Sequence, residues 1–195
     1  FMGRMHRHTK GSELAIQIAQ KCNLKLKLAG SDETGGYFND LNYPDGIEYL
    51  GVIGSDERKE LLSKAKAMFM PSLFPEPFGG SGIESLLSGT PVITTDHSVF
   101  NEWNLHGYTG YRCNNFSEFC WAATNIDNID NDFCYKWAKG KYTLPVVGKK
   151  FDRFFTYIQN VYYGDGFYQE GNLDNLDHLE FSDNLLLTTH SYPFE

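Results

Sequence analysis

Apolar and polar residues alternate along this chain with two different periods. LKLKLAG (24–30) is apolar at every second position, as a strand with one buried face requires. Before it, Leu14, Ile16, Ile18 and Ala19 recur at helical spacing, which predicts an amphipathic helix from Glu13 to about Cys22 with Ser12 as its cap. FMG at 1–3 reads as the stub of a strand. The alternation continues with IEYLG (47–51), a helix capped by Ser55 with Asp56 and Glu57 in its first turn, and the strand AMFMPS (67–72). A helix around Ile83 to Leu87, the strand PVITT and a Gly-Tyr-Thr-Gly-Tyr segment at 107–111 follow. Strands alternating with helices predict βαβ units, hence an α/β fold with a doubly wound, Rossmann-like parallel sheet covered on both faces.

Beyond Asn115 the pattern is helical, over Ser117–Ile126, Asp132–Lys139 and Val147 to about Tyr163. The last of these is rich in aromatics, which places it in the core or at an interface. Residues 1–162 are therefore read as one Rossmann-like domain, and 163–195 as an acidic, weakly structured extension.

Charge changes the picture only once it is located. The net charge is −8, but residues 163–195 hold seven of the acids and no Lys or Arg, which leaves 18 acids against 17 bases elsewhere. The first thirty residues are basic, with Arg4, Arg7, Lys10, Lys21, Lys25 and Lys27 against Glu13 alone, so an anionic small molecule fits. Nucleic acid does not, because no aromatic-studded basic face or groove-entering helix is legible. The four cysteines form no C-x-x-C pair, which argues against a zinc site or a disulfide framework and for reduced, buried thiols. No run is long and apolar enough for a membrane span, and no apolar signal core follows the basic N-terminal residues. The expected location is cytoplasmic, the cytosolic face of a membrane included; the sequon at Asn115 would matter only in a secreted protein.

The candidate chemistry lies in FPEPFGGSGIE (74–84), just after a predicted strand, where open α/β sheets bind their ligands. Gly79, Gly80 and Gly82 permit close backbone approach, and a helix starting near Ser81 offers free N–H groups to a phosphate. Glu84, a turn inside that helix, suits sugar hydroxyls, and Glu76 would reach the ligand's other side. The run lacks the Gly-Lys-Ser/Thr ending of a P-loop, and it follows a middle strand rather than the first, as a dinucleotide fingerprint would. Separation in sequence cannot show whether the two acids face each other like a glycosidase pair. Arg4 and Lys10, six residues apart on the loop after the first strand stub, could both flank one pyrophosphate if that loop lies beside the glycine-rich one. His6 and His8 read as exposed loop residues and His97 as a turn residue. Asp130-x-Asp132 looks like a metal-binding DxD, but it lies between helices and reads as helix capping.

Taken in order, Gly3-Arg4 with Lys10-Gly11, Glu76-Pro-Phe-Gly with Glu84 eight residues further on in an E-x7-E spacing, SGTPVI and HGYTGY resemble the C-terminal donor-binding half of retaining GT-B glycosyltransferases, glycosyl transferases group 1, over residues 1 to about 115. The resemblance implies that Arg4 and Lys10 bind the donor diphosphate, with backbone amides around Gly79, Gly80 and Ser81 completing the cradle. It implies that Glu84 binds the nucleotide ribose and Glu76 the transferred sugar. The implied substrate is a nucleoside-diphosphate sugar, transferred with retention to an unknown acceptor (glycan, lipid or protein), with no cofactor and no metal. Many relatives carry an apolar residue or proline where Gly80, Ser81 and Gly82 stand, which points to a looser helix start here. The acceptor-binding N-terminal half of such enzymes has no counterpart in these residues and is expected in cis or as a separate chain. A non-hydrolysing sugar-nucleotide epimerase of the same fold and a non-catalytic nucleotide-sugar-binding subunit are the alternative readings.

Overall fold

The structure, a computed structural model, describes residues 1–5 and 9–164. His6, His8 and the acidic segment beyond Gly164 lie outside them. The order of elements is α1 (Ser12–Lys21), β1 (Leu26–Leu28), α2 (Tyr37–Asp40), β2 (Ile47–Tyr49), α3 (Ser55–Lys64), β3 (Met68–Met70), α4 (Gly80–Leu87), β4 (Val92–Thr95), α5 (Phe100–Trp103), β5 (Gly110–Cys113), α6 (Phe116–Asn125), α7 (Asn131–Tyr142) and α8 (Leu144–Tyr163). The expected alternation of strand and helix holds, with shorter strands and with the brief helices α2 and α5 in addition.

All strand pairs are parallel. β1 pairs with β2, Leu26 opposite Ile47, and β4 lies between β3 and β5, with Val92 opposite Met68 on one side and Gly110 on the other. The N-terminal segment runs parallel beside the end of β1, Gly3 N–H donating to Ala29 (2.9 Å) and Met5 N–H to Ser31 (2.8 Å). A cavity of about 720 Å³ lies between the two groups of strands, lined by Phe1, Leu26, Met68, Phe69 and Ile93 among others. β3 and β4 are buried at every position, as parallel strands covered on both faces are, whereas Lys27 alternates outward on β1. The core joins both layers through Ile18, Leu28, Phe38, Leu86, Ile93 and Phe119. The architecture is an α/β Rossmann-like fold.

Two helix starts differ from expectation. Ser12 is buried as the first residue of α1, and the cap is Gly11 in the left-handed conformation, φ 75°. Likewise Ser55 opens α3 behind Gly54. Asp130 does cap α7, its carboxylate accepting from the amides of Asp132 (2.9 Å) and Phe133 (3.3 Å). Asn115 caps α6 through Glu118 N–H, and the Glu118 side chain returns to the Asn115 amide and to Asn114 N–H. The aromatic helix α8 is not core, since none of its residues is buried. Among the described residues no helix is long and apolar enough to cross a membrane.

Candidate functional site

Two loops meet at the carboxyl ends of the central strands. Thr9 O accepts the amides of Leu73 (2.7 Å) and Phe74 (3.1 Å), which ties the loop before α1 to the loop after β3. Gly11 makes this approach possible: a Cβ there would stand 2.0 Å from the Pro71 carbonyl oxygen, and its positive φ turns the chain directly into α1. The glycine-rich loop is also anchored from β4, whose Thr95 hydroxyl donates to Ser72 O (2.7 Å), and from the following turn, where Ser98 Oγ donates to Glu76 O (2.8 Å). The two loops therefore lie side by side, which is the condition on which the sequence reading of this region depended.

This stitching brings Lys10 to Glu76. The Lys10 ammonium donates to Glu76 Oε1, which also accepts from Ser72 Oγ (3.0 Å), and the Phe74 ring lies 4.9 Å from Lys10 Nζ. Their side chains are only 20% and 11% exposed, so the pair is largely withdrawn from water. Arg4 is not in this cluster; it is exposed and faces Glu33 at 3.5 Å. His97 lies in the turn after β4, its ring 6.4 Å from that of Phe100.

Gly79 is left-handed, φ 74°, and caps α4, which begins at Gly80, one residue before its expected start. Helix geometry leaves the first amides of α4, those of Gly80 and Ser81, without intrahelical acceptors and at the positive end of the helix dipole, a place that suits an anion. The three glycines are not equivalent. A Cβ on Gly80 would meet only Phe78 Cδ1 at 3.9 Å, whereas one on Gly82 would stand 2.2 Å from the Trp103 ring. Gly82 is thus a packing residue rather than a site for ligand approach. Trp103, which the sequence reading passed over, fills the space under the loop and donates its indole N–H to Phe78 O (2.8 Å). Glu84, one turn into α4, faces Arg58 of α3 at 3.3 Å. Arg58, Ser72 and Ser98 were also missed, because no local pattern marks a residue whose partner is on another element.

Among the described residues no three His, Cys, Asp or Glu side chains converge as a metal-ligand cluster. Chemically, the loop and helix start after β3 carry two carboxylates and a row of amides, with the Lys10 ammonium against the first of the carboxylates. None of the candidate residues lines the 720 Å³ cavity.

An uncharacterized glycosyltransferase of Methanocaldococcus jannaschii is 35% identical over 118 residues, covering 56% of this chain and 30% of the relative. The O-antigen chain mannosyltransferase RfbU of Salmonella typhimurium is 43% identical over 90 residues, 46% of this chain and 25% of its own length. Among solved structures, AviGT4, a glycosyltransferase involved in avilamycin A biosynthesis, superposes with a TM-score of 0.68 at 23% identity, over 81% of this chain and 50% of that one. HepE of Anabaena, solved in complex with UDP-glucose, superposes with a TM-score of 0.66 at 18% identity, over 80% and 48%. The chain thus spans about half the length of these solved neighbours and 30% or less of these curated relatives. The model of the family glycosyl transferases group 1 matches residues 1–124, and with its parallel α/β fold and the ordered motifs around Lys10, Glu76 and Glu84 the chain belongs to that family.

Proposed function

We propose that this chain is the donor-binding domain of a retaining glycosyltransferase and takes a nucleoside-diphosphate sugar. The observation that carries the reading is the meeting of Lys10 and Glu76 beside the left-handed start of α4, held there by the hydrogen bonds of Thr9 O to the glycine-rich loop. In the bound state Lys10 leaves Glu76 for the diphosphate, Arg4 closes on it from the neighbouring turn, and the amides at Gly79, Gly80 and Ser81 complete the cradle. Glu76, released from Lys10, accepts hydroxyls of the transferred sugar; Glu84 accepts those of the ribose.

Cleavage of the glycosidic bond leaves an oxocarbenium-like sugar and a diphosphate whose growing charge needs fixed cations and dipoles, and those are what these residues supply without a metal. The chemistry proceeds with retention at the anomeric carbon. That HepE was solved with UDP-glucose and RfbU is a mannosyltransferase supports the substrate class for this chain. Transfer also requires the acceptor hydroxyl to be held near the anomeric carbon. We assign that task to a second domain, in cis or as a separate chain, because the solved neighbours carry about as much chain again beyond the matched half.

Calorimetric titration with UDP, GDP and ADP and their sugar conjugates tests the reading. One nucleoside diphosphate should bind with an affinity that Lys10→Ala lowers. Failure of the whole panel to bind overturns the assignment.

A further inference from the structure

We propose that Arg58 is a positioning residue for the nucleotide: it locks one oxygen of Glu84 so that the other is presented, alone and in a fixed direction, to a ribose hydroxyl. This rests on the donor-binding reading and concerns how the site distinguishes a ribonucleotide from a deoxyribonucleotide.

The two residues have no reason to meet from sequence alone. Three and four places from Arg58 on α3 stand Gly54, Ser55, Leu61 and Leu62, none acidic; around Glu84 on α4 stand Gly80, Ser81, Leu87 and Ser88, none basic. Neither charge therefore has an opposite on its own helix face. They are brought together by the packing of α3 against α4, with Arg58 Nη1 3.3 Å from Glu84 Oε2. By contrast Lys64, on the same helix as Arg58, is paired locally with Glu60 (2.6 Å).

The two oxygens of Glu84 stand in different surroundings. Oε2 is shut off from solvent and accepts no hydrogen bond, so the guanidinium is what compensates its charge. The side chain as a whole is nevertheless 45% exposed, which leaves Oε1 as the oxygen open to a ligand. A carboxylate free to rotate could offer either oxygen, or both, in many orientations. The permanently charged guanidinium beside Oε2 favours the rotamer that keeps this oxygen turned in and offers the other to the ligand. A single directed acceptor rewards a ligand that brings a hydroxyl to it and leaves Oε1 unsatisfied against one that does not. Lysine would keep the charge but not the planar hold.

The test measures ADP, GDP and UDP against their 2′-deoxy and 3′-deoxy counterparts by calorimetry, taking the base that binds best. It compares wild type with Arg58→Ala, Arg58→Lys, Glu84→Gln and the Arg58→Ala/Glu84→Gln double variant. Wild type should prefer the ribonucleotide over at least one deoxy form. Arg58→Ala should lower that preference roughly tenfold, Arg58→Lys should restore it only in part, and the double variant should match Glu84→Gln. An unchanged preference in Arg58→Ala overturns the positioning role while leaving the donor site intact. Equal loss of affinity for inorganic pyrophosphate, which has no ribose, also overturns it, because it would mark a general disturbance of the loop. A wild-type protein that binds nucleotide without any such preference overturns the ribose role of Glu84 and this inference with it.

Discussion

Lys10 and Glu76, 66 residues apart in the chain, close an ion pair over the meeting point of two loops. Because both side chains are mostly withdrawn from solvent, each satisfies a charge that would otherwise be costly to bury. A diphosphate that draws Lys10 away must therefore leave Glu76 with another partner, and the donor's sugar hydroxyls can be that partner. Lys10→Ala should weaken binding of the nucleoside diphosphate by about 1.5–3 kcal/mol, the range for a hydrogen bond to a charged group. Calorimetry checks this, and an unchanged affinity removes the phosphate role.

The same variant should lower stability, since it strands a carboxylate that is only 11% exposed and keeps just the Ser72 hydroxyl as a side-chain donor. A loss of about 1–3 kcal/mol in urea unfolding is expected for Lys10→Ala, and clearly less for Lys10→Ala combined with Glu76→Gln. Additive losses would show that the pair is not coupled in stability.

The glycine-rich loop makes a contrast between neighbouring residues. Gly82→Ala forces a methyl into the Trp103 ring at 2.2 Å and should cost about 1–3 kcal/mol by overpacking. Gly80→Ala meets open space and should leave the melting temperature nearly unchanged while affecting diphosphate binding at the helix start. Equal melting temperatures for the two variants would contradict the packing role of Gly82.

Asp32 organises the turn into α2, accepting from Thr34 N–H (2.8 Å), Phe38 N–H (2.9 Å) and Asn39 N–H (3.1 Å). Desolvation pushes its carboxyl up, but the hydrogen bond from the Thr34 hydroxyl together with these amide bonds outweighs it and holds the pKa below the ordinary 3.8. A lowered folded value means that its stabilisation is fully present above the unfolded pKa and is lost as pH falls through the folded one. The Phe38 and Asn39 amide resonances should therefore titrate with a midpoint below 3.8, and a midpoint at or above that value would count against the turn.

Burial sets the order of thiol reactivity. Desolvation pushes the Cys134 thiol up to about 12 and Cys22 to about 11, and Cys113 is fully buried. At pH 8 a disulfide reagent should modify Cys120 first in the native protein, with Cys113 and Cys134 reacting only on unfolding. Rapid native labelling of Cys134, followed by mass spectrometry, would contradict its place on the buried face of α7 against the Thr109 carbonyl.

Sequence by itself determined the alternation of parallel strands and helices, because the periods of LKLKL and of Leu14 to Ala19 are local consequences of which face each element buries. It also placed Glu76 and Glu84 on either side of one helix start, since eight residues of chain can reach no further than a loop and a turn. What it could not hold is which distant groups those residues meet. Ser12 and Ser55 had the chemistry of caps, yet glycines took the cap positions; at α1 the reason is that the preceding loop had to press onto the Pro71 carbonyl, where no Cβ fits. The aromatics of α8 signalled a place in the core or at an interface, and among the described residues none of them is buried. Arg58 carried no local signal before the packing of α3 on α4 set it against Glu84, and Gly82 looked like a ligand contact until Trp103 filled its space. Secondary structure follows from neighbours along the chain, whereas the pairing of charges and the filling of space depend on groups tens of residues away, and only the folded packing brings those together.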